Sequence, residues 1–546
     1  MSSSPRLDRQ PRSSGLAAAL NAAREAERVG RHAVAREHYE SALRLYRNDP
    51  VAAPAELLRR IGCTHHAEGN GEAALDCYIA SLAAAEAAGD RAAIAGTLNC
   101  LGHVLQAWGR LDQAEAHYRK AARTAGSIGD LRLVATALRG LASLARTRGE
   151  LDLAAEWLRR ALARSRAAGD AAGVARTFAD LGAIHAELGD WAAAESNFEE
   201  CETHAERADD ALTLARLANH RTALYIWRGE LDRAFASCET AFRLANRLGA
   251  QLLLGTVHKN YGIIHRERRR YELAETHLLK AAEIAERCSS PLLAGAAQQE
   301  LAHLYRSLDR DRDALLALTY AHRVFRDLRA QRSLADVGER IRELEELYFQ
   351  VVRRWGESIE SKDRYTAGHC ERVADYACAL ARRVGFDEQT LTWFRMGAFL
   401  HDVGKVVVPP EILNKEGPLT AEEWEIMRSH TLAGVELLSS LEFPWDLRPM
   451  VRSHHEHWDG SGYPDGLSGQ MIPLSARILC VADVYDALTS TRAYRPAYSP
   501  REALRIMAGD AGRIFDPVLF EIFRELMEER LAAGTAAVQG PGGTGA

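Results

Sequence analysis

The chain has 546 residues, 47% of them hydrophobic, and a formal net charge of −6. That apolar content supports large cores in three or four domains, and the slight negative charge argues against a broad nucleic-acid footprint. No run approaches 18 uncharged apolar residues, the start Met1-Ser2-Ser3-Ser4-Pro5-Arg6 lacks the apolar core of a signal peptide, and nine scattered cysteines suit a reducing compartment, so neither a nucleic-acid polymer nor a membrane is expected as a partner, and a cytoplasmic location is expected.

In chain order, residues 1–14 are rich in Ser, Arg and Pro and read as a disordered tail. From 15 to 330 the chain repeats every 40 residues: one phase is alanine throughout (Ala74, Ala114, Ala154, Ala194, Ala234, Ala274, Ala314). Four residues on stands a large slot (Tyr78, Tyr118, Leu158, Phe198), and twelve residues before stands a small residue (Gly62, Gly102, Ala142, Gly182). A small residue lets two helix backbones approach, and the large side chain fills the space beside it. Each amphipathic helix pair then buries its apolar face only against its neighbours. These offsets resemble the tetratricopeptide pattern, which implies an α-solenoid of about eight helix hairpins. His65, His185 and His265 share a phase with Leu105, Tyr225 and Tyr305 and read as packing residues. A polar line on the first helix of successive pairs, including Arg59, Asn99, Arg139, Asn219 and Lys259, is the expected docking face for an acidic peptide or protein.

Over 331–360 the 40-residue register stops. Leu334, Val337, Ile341, Leu344, Tyr348, Val351 and Trp355 recur at three and four spacing, which predicts a linker helix. Its stripe either seals the last repeat or forms a coiled-coil homodimer through 334–355.

Residues 361–531 read as helical and carry the chemistry. Seven imidazole or carboxylate side chains recur here: His369, His401, Asp402, His430, His454, His455 and Asp483. Such a set can hold divalent metals with open positions, the requirement for metal-assisted hydrolysis of a phosphoester. A carboxylate such as Asp402 has two oxygens and can bridge two cations. On a helix, His454 and His455 diverge by about 100°, so they serve different ions or one of them supports the other ligands from behind. Lys405 offers a mobile cation to a phosphate oxygen. Thr420 with Glu423 forms a capping box opening the helix that carries His430, and Asp516-Pro517 opens the helix through Phe523. The stretch 532–546 ends in Gly and Ala and reads as a second disordered tail.

The motifs Tyr365-Thr366-x-x-His369, His401-Asp402-x-Gly404-Lys405, His454-His455-Glu456, Asp459-Gly460-x-Gly462-Tyr463-Pro464 and Asp486-Ala487-Leu488-Thr489 resemble the HD-GYP family of bacterial HD-domain phosphohydrolases. The resemblance covers roughly 355–525 and implies an all-α chain: a tetratricopeptide solenoid followed by a helical HD-GYP domain that hydrolyses cyclic di-GMP to pGpG or GMP. It implies one metal on His369, His401, Asp402 and Asp483, and a second shared through Asp402 with His430, His454 and His455. Iron or manganese is the expected pair, and the donor set also permits zinc. Tyr365 stands where some members carry a third-metal glutamate, which favours two metals. The resemblance further implies substrate contacts from Lys405, Asp486, Arg492, Arg495, Gly462, Tyr463 and Pro464, with Asp402 and Lys405 at the catalytic step. Another cyclic dinucleotide such as cyclic GMP-AMP, or a low-turnover binding scaffold, are the alternative readings.

Overall fold

The computed structural model describes residues 10–46, 54–360, 368–439, 446–491 and 496–538. It is helical throughout, with no strand among the described residues. Two compact units divide at Ile341/Arg342, inside the long helix Gln331–Glu360.

The first unit is a succession of helix pairs, eight among the described residues, from Gln10–Arg28 with His32–Tyr46 to Pro291–Arg306 with Asp311–Asp327. The repeat chemistry works as the spacing implies. A side-chain carbon on Gly62, Gly102 or Gly182 would strike the ring of Tyr78, Tyr118 or Phe198 respectively, and those three rings are fully buried. Only a hydrogen fits where each ring lies. Turns between helices use left-handed residues at the same phase, Gly69, Gly109, Gly149, Gly189 and Gly229, and where glycine is missing Arg269 and Asp309 adopt that conformation. Asp90, Asp130, Asp170, Asp190 and Asp210 cap the helices that follow by accepting from backbone N–H groups. The solenoid also closes on itself: His32 Nε2 meets the Leu248 carbonyl at 2.8 Å, and Arg28 pairs with Asp209 at 3.1 Å. Of the three repeat-phase histidines, His265 is buried and stacks on Tyr261 and His277.

Three expectations about the edges change. Residues 10–14 belong to the helix Gln10–Arg28, and residues 532–538 extend the helix Pro517–Val538. At 532–538 alanine-rich sequence carries the adjoining helix outward at little entropic cost; at 10–14 the helix starts with Pro11 in its first turn, where proline is tolerated. The remainder of each tail lies outside the described residues. The expected dimer seam through 334–355 is also partly taken up within the chain. Val337, Ile341, Leu344 and Val352 are already buried within one chain, and Tyr348 and Phe349 pack edge-on against Trp393 and Phe399 of the second unit. Leu334, Tyr348 and Trp355 are half-buried, so part of the stripe is used within one chain and part is not.

Candidate metal centre

The second unit brings the chemistry-bearing residues together from five segments. The helix Glu388–Leu400 ends in the buried Met396, Ala398, Phe399 and Leu400 and delivers His401 and Asp402 at its C-terminus. A short 3-10 turn, Val403–Val407, follows. Gly404 makes this possible, because a side chain there would overlap the His430 carbonyl and the Gly434 amide. His430 opens the helix His430–Ser439. The Thr420–Glu423 capping box is present, but it starts the preceding helix, Ala421–Arg428. His454 and His455 follow the helix Arg448–Ser453, His369 opens the helix His369–Arg383, and Asp483 lies on Leu474–Thr489.

These side chains form two donor clusters that share one carboxylate. Asp402, His430, His454 and His455 make one; His369, His401 and Asp402 make the other. Asp402 Oδ1 faces His430 Nε2 at 3.4 Å and His454 Nε2 at 3.9 Å, while Oδ2 faces His401 Nε2 at 3.4 Å. Asp483 Oδ1 joins from the far side, 3.4 Å from His369 Nε2. His454 and His455 turn to the same cluster, with ring centroids 4.1 Å apart. The helix ends before them, so the divergence expected on a helix does not apply.

Each histidine except His455 is oriented by its second nitrogen. Nδ1 of His401, His430 and His454 lies 2.7 Å from the carbonyls of Ala398, Met427 and Val451, each three residues earlier. His369 Nδ1 lies 2.8 Å from Asp486 Oδ2. With Nδ1–H donated outward, the Nε2 lone pairs converge on Asp402, the arrangement that fixes tautomer and ring direction at metal sites. Two buried atoms at the centre, His401 Nε2 and Asp402 Oδ1, have no hydrogen-bond partner. An unsatisfied buried donor or acceptor is costly. The N···O gaps of 3.4 Å match two ligands sharing one cation, since bonds of ~2.1 Å at ordinary angles leave about 3–3.4 Å between donors. The residues therefore fit divalent metal.

The electrostatics agree. Burial pushes His430, His454 and His455 down, His455 to about 3, so these imidazoles stay neutral and ligand-ready. Burial also opposes charge on His401, but the Asp402 carboxylate outweighs it and lifts His401 to about 9. Burial disfavours the Asp402 carboxylate as well, yet Lys405 and His401 hold it well below the usual range. The carboxylate is thus ionised, and cations compensate it.

The residues expected at substrate divide sharply. Lys405 stands at the centre, its Nζ 2.5 Å from Asp402 Oδ2. Asp486 is buried and accepts from Arg372 Nε at 2.6 Å as well as engaging His369. Its carboxylate is committed to holding His369. Gly462 is a packing glycine, since a side chain there would run into the backbone of His455, Glu456 and His457. Tyr463 lays its ring against His455, centroids 4.9 Å apart, with Arg428 over its other environment at 5.3 Å. It is a half-buried wall beside one ligand, followed by Pro464 through a cis peptide. Arg492, Arg495 and Tyr365 lie outside the described residues. One residue with a clear task had none assigned from sequence. Glu456 is buried, and its two oxygens accept from the amides of Asp465 at 2.7 Å and Leu467 at 2.9 Å. It staples the Gly-rich loop under the paired histidines. The signal was an acid directly after His454-His455 and before a loop rich in unpaired N–H groups.

In the solenoid, the expected docking line is largely used internally. Asn99 donates to the Leu133 carbonyl, and Asn219 accepts from Asn260; both are buried. Arg59 pairs with Glu56, and Arg139 with Asp180.

An HD domain model matches residues 356–519, and a tetratricopeptide repeat model matches 54–127 and 133–207. The chain joins tetratricopeptide repeats to an HD domain. The HD region is 41% identical over 189 residues to the cyclic di-GMP phosphodiesterase response regulator RpfG of Xanthomonas campestris, covering 34% of this chain and 49% of that protein. It is 38% identical over 192 residues to 3′3′-cGAMP-specific phosphodiesterase 2 of Vibrio cholerae, covering 35% and 37%. It is 39% identical over 189 residues to a cyclic di-GMP phosphodiesterase of Thermotoga maritima, covering 34% and 51%. These relatives bear out the HD-GYP resemblance of the last third, and the chain spans about half or less of their length. No helix among the described residues is long and apolar enough to cross a membrane.

Proposed function

We propose that the HD domain is a metal-dependent phosphodiesterase for cyclic di-GMP, with two divalent cations, iron or manganese, divided by Asp402. The observation that supports this most directly is the shared carboxylate: Asp402 belongs to both donor clusters, with orphaned lone pairs aimed between them. Bound cations supply an activated water at neutral pH and offset charge on the phosphoryl oxygens. The chain's own residues do the rest. Four imidazoles hold their Nε2 atoms inward. Asp402 stays ionised among them. Lys405 is the mobile cation beside the shared carboxylate, suited to meet a phosphoryl oxygen. Tyr463 and Pro464 wall one flank, where a nucleobase can stack on the tyrosine. Arg492 and Arg495 are proposed phosphate contacts, on the resemblance alone. Linear pGpG is the expected first product, and GMP follows if a second cut occurs.

Single-turnover cleavage of cyclic di-GMP with Mn²⁺ or anaerobic Fe²⁺, compared with Asp402→Ala, tests the reading. Cyclic GMP-AMP belongs in the same assay, since the relatives include enzymes named for both dinucleotides. Metal-dependent cleavage absent from the native chain but retained nucleotide binding would favour a scaffold.

For the solenoid we propose that a peptide or protein with acidic character docks on the face carrying Lys259, Arg216, Arg139 and Arg59, and so regulates the hydrolase. Support comes from Lys259, which is half-buried and pushed down by burial, and from the exposed Arg216. A partly desolvated cation beside an exposed one favours an anionic visitor. A homodimer through 334–355 is proposed only for the half-buried part of the stripe, Leu334, Tyr348 and Trp355. Nine free thiols are consistent with the cytosol as the proposed compartment.

A further inference from the structure

Two cysteines of the solenoid lie together outside anything the hydrolase reading uses. Cys63 is on the helix Pro54–Ala67 and Cys100 on Arg91–Ala107, the first helices of successive repeats. The 37-residue offset between them is one that places side chains of adjacent first helices in contact. Gln106 donates to Ser143 at 2.7 Å and Gln299 to Asp336 at 2.7 Å across the same offset. Arg59 lies against Gly96, again 37 residues on. Cys63 and Cys100 occupy the next rung of this ladder.

Their surroundings are polar and unequal. The Tyr78 hydroxyl donates to Cys63 Sγ at 3.5 Å, and Arg59 Nη1 to Cys100 Sγ at 3.9 Å. Arg59 is also held by Glu56, Nη2 to Oε1 at 2.6 Å, so its position is set by a carboxylate and its charge is shared with the sulfurs. Both thiols are only partly buried, unlike the six buried cysteines Cys201, Cys238, Cys288, Cys370, Cys378 and Cys480. The adjoining Cys100 thiol, with Arg59 and the Tyr78 hydroxyl, draws Cys63 down to about 6 against the effect of burial. The same contact and burial push Cys100 up. The Tyr78 hydroxyl on Cys63 Sγ and the Arg59 guanidinium beside Cys100 Sγ stabilise one negative charge on the pair, so one sulfur can attack and the other resolve.

We propose that Cys63 and Cys100 are an oxidisable dithiol, with Cys63 the nucleophile toward a peroxide and Cys100 the resolving thiol that closes a disulfide between two repeats. The Cys63 thiolate attacks one oxygen of hydrogen peroxide, the O–O bond breaks, and a sulfenic acid forms while hydroxide leaves and takes up the proton Cys63 had released, giving water. Cys100 sulfur then attacks Cys63 sulfur, the S–O bond breaks, and a second water leaves with the Cys100 proton. Two thiols are oxidised to one disulfide and one peroxide is reduced to two waters. The link ties Pro54–Ala67 to Arg91–Ala107 on the face proposed for the partner.

The test uses the full-length chain, reduced and freed of reductant. At pH 7, iodoacetamide labels Cys63 about tenfold faster than the half-buried Cys77, as its greater thiolate fraction requires. With a small molar excess of hydrogen peroxide, peptide mass mapping finds a Cys63–Cys100 cross-link before any other cysteine is lost. In Cys100→Ser, dimedone traps a sulfenic acid at Cys63; in Cys63→Ser, Cys100 remains a thiol under the same dose. The wild-type labelling needs no variant, so a substitution that disturbs folding does not decide the matter. Equal labelling of Cys63 and Cys77, or a first cross-link between any other pair, overturns the proposal.

Discussion

Asp486 is the residue for which a substrate contact and a positioning role lead to opposite measurements. Asp486→Asn keeps the volume and removes the charge. In the native chain one oxygen engages His369 Nδ1 at 2.8 Å and the other accepts from Arg372 Nε at 2.6 Å. An amide can offer only one acceptor oxygen, so His369 loses either its fixed tautomer or its fixed direction. Partners of this kind are worth 10–100-fold in metal affinity, which is about 1.4–2.8 kcal/mol. Loss of one partner from a buried ion pair can cost about 3–5 kcal/mol of stability. Here the Arg372 side chain is 40% exposed and its stranded charge can turn to water, so about 1–2 kcal/mol is expected. Competition of Mn²⁺ against a chromophoric chelator, below the unfolding temperature, reads the affinity. KM for the dinucleotide is read with metal held saturating. The expected result is weaker metal binding at one of two sites and an almost unchanged KM. Metal affinity within twofold of native, with KM raised tenfold or more, would show that Asp486 touches substrate and that the orienting argument is wrong.

Other outcomes follow from the same geometry. Lys405→Ala should lower turnover about 10–100-fold while elemental analysis finds native metal content; loss of metal with activity would contradict the phosphate role. Glu456→Gln should weaken two charge-assisted bonds to Asp465 and Leu467 and lower stability by about 1–3 kcal/mol, read as the earlier of two thermal transitions. Gly404→Ala should leave no folded HD domain, because the added carbon overlaps the His430 carbonyl; a soluble, metal-binding variant would refute that contact. Glu345 has a buried oxygen without a partner and is raised to about 7, chiefly by burial. A carboxyl raised on folding binds more protons folded than unfolded, so the stability it permits is full at low pH and falls as pH rises from the ordinary carboxyl value through about 7. Glu345→Gln should therefore stabilise the chain at pH 8 and not at pH 4. The side chain is only partly buried, which limits the gain to about 1 kcal/mol. A gain of equal size at both pH values would place the cause elsewhere.

By itself the sequence determined the periodic part of this protein and the inventory of its ligands. A 40-residue repeat of Gly62, Ala74 and Tyr78 can bury its rings in only one way, since local spacing decides which faces meet. The donors were legible because their spacing matched the HD-GYP motifs, which the packing histidines of the solenoid such as His265 do not. Tertiary structure decided the division of labour among them. Asp483 and Asp486 are three residues apart on one helix, yet the first meets the Nε2 side of His369 and the second its Nδ1 side, because the His369 ring lies between them. Gly462 and Glu456 are packing and stapling residues only once the loop has turned back over them. On Gln331–Glu360, spacing placed Tyr348 in the apolar stripe, but only the fold set it against Trp393, far along the chain. Spacing along a chain specifies which residues share a face; what that face meets depends on segments distant in sequence, and only packing brings those into range.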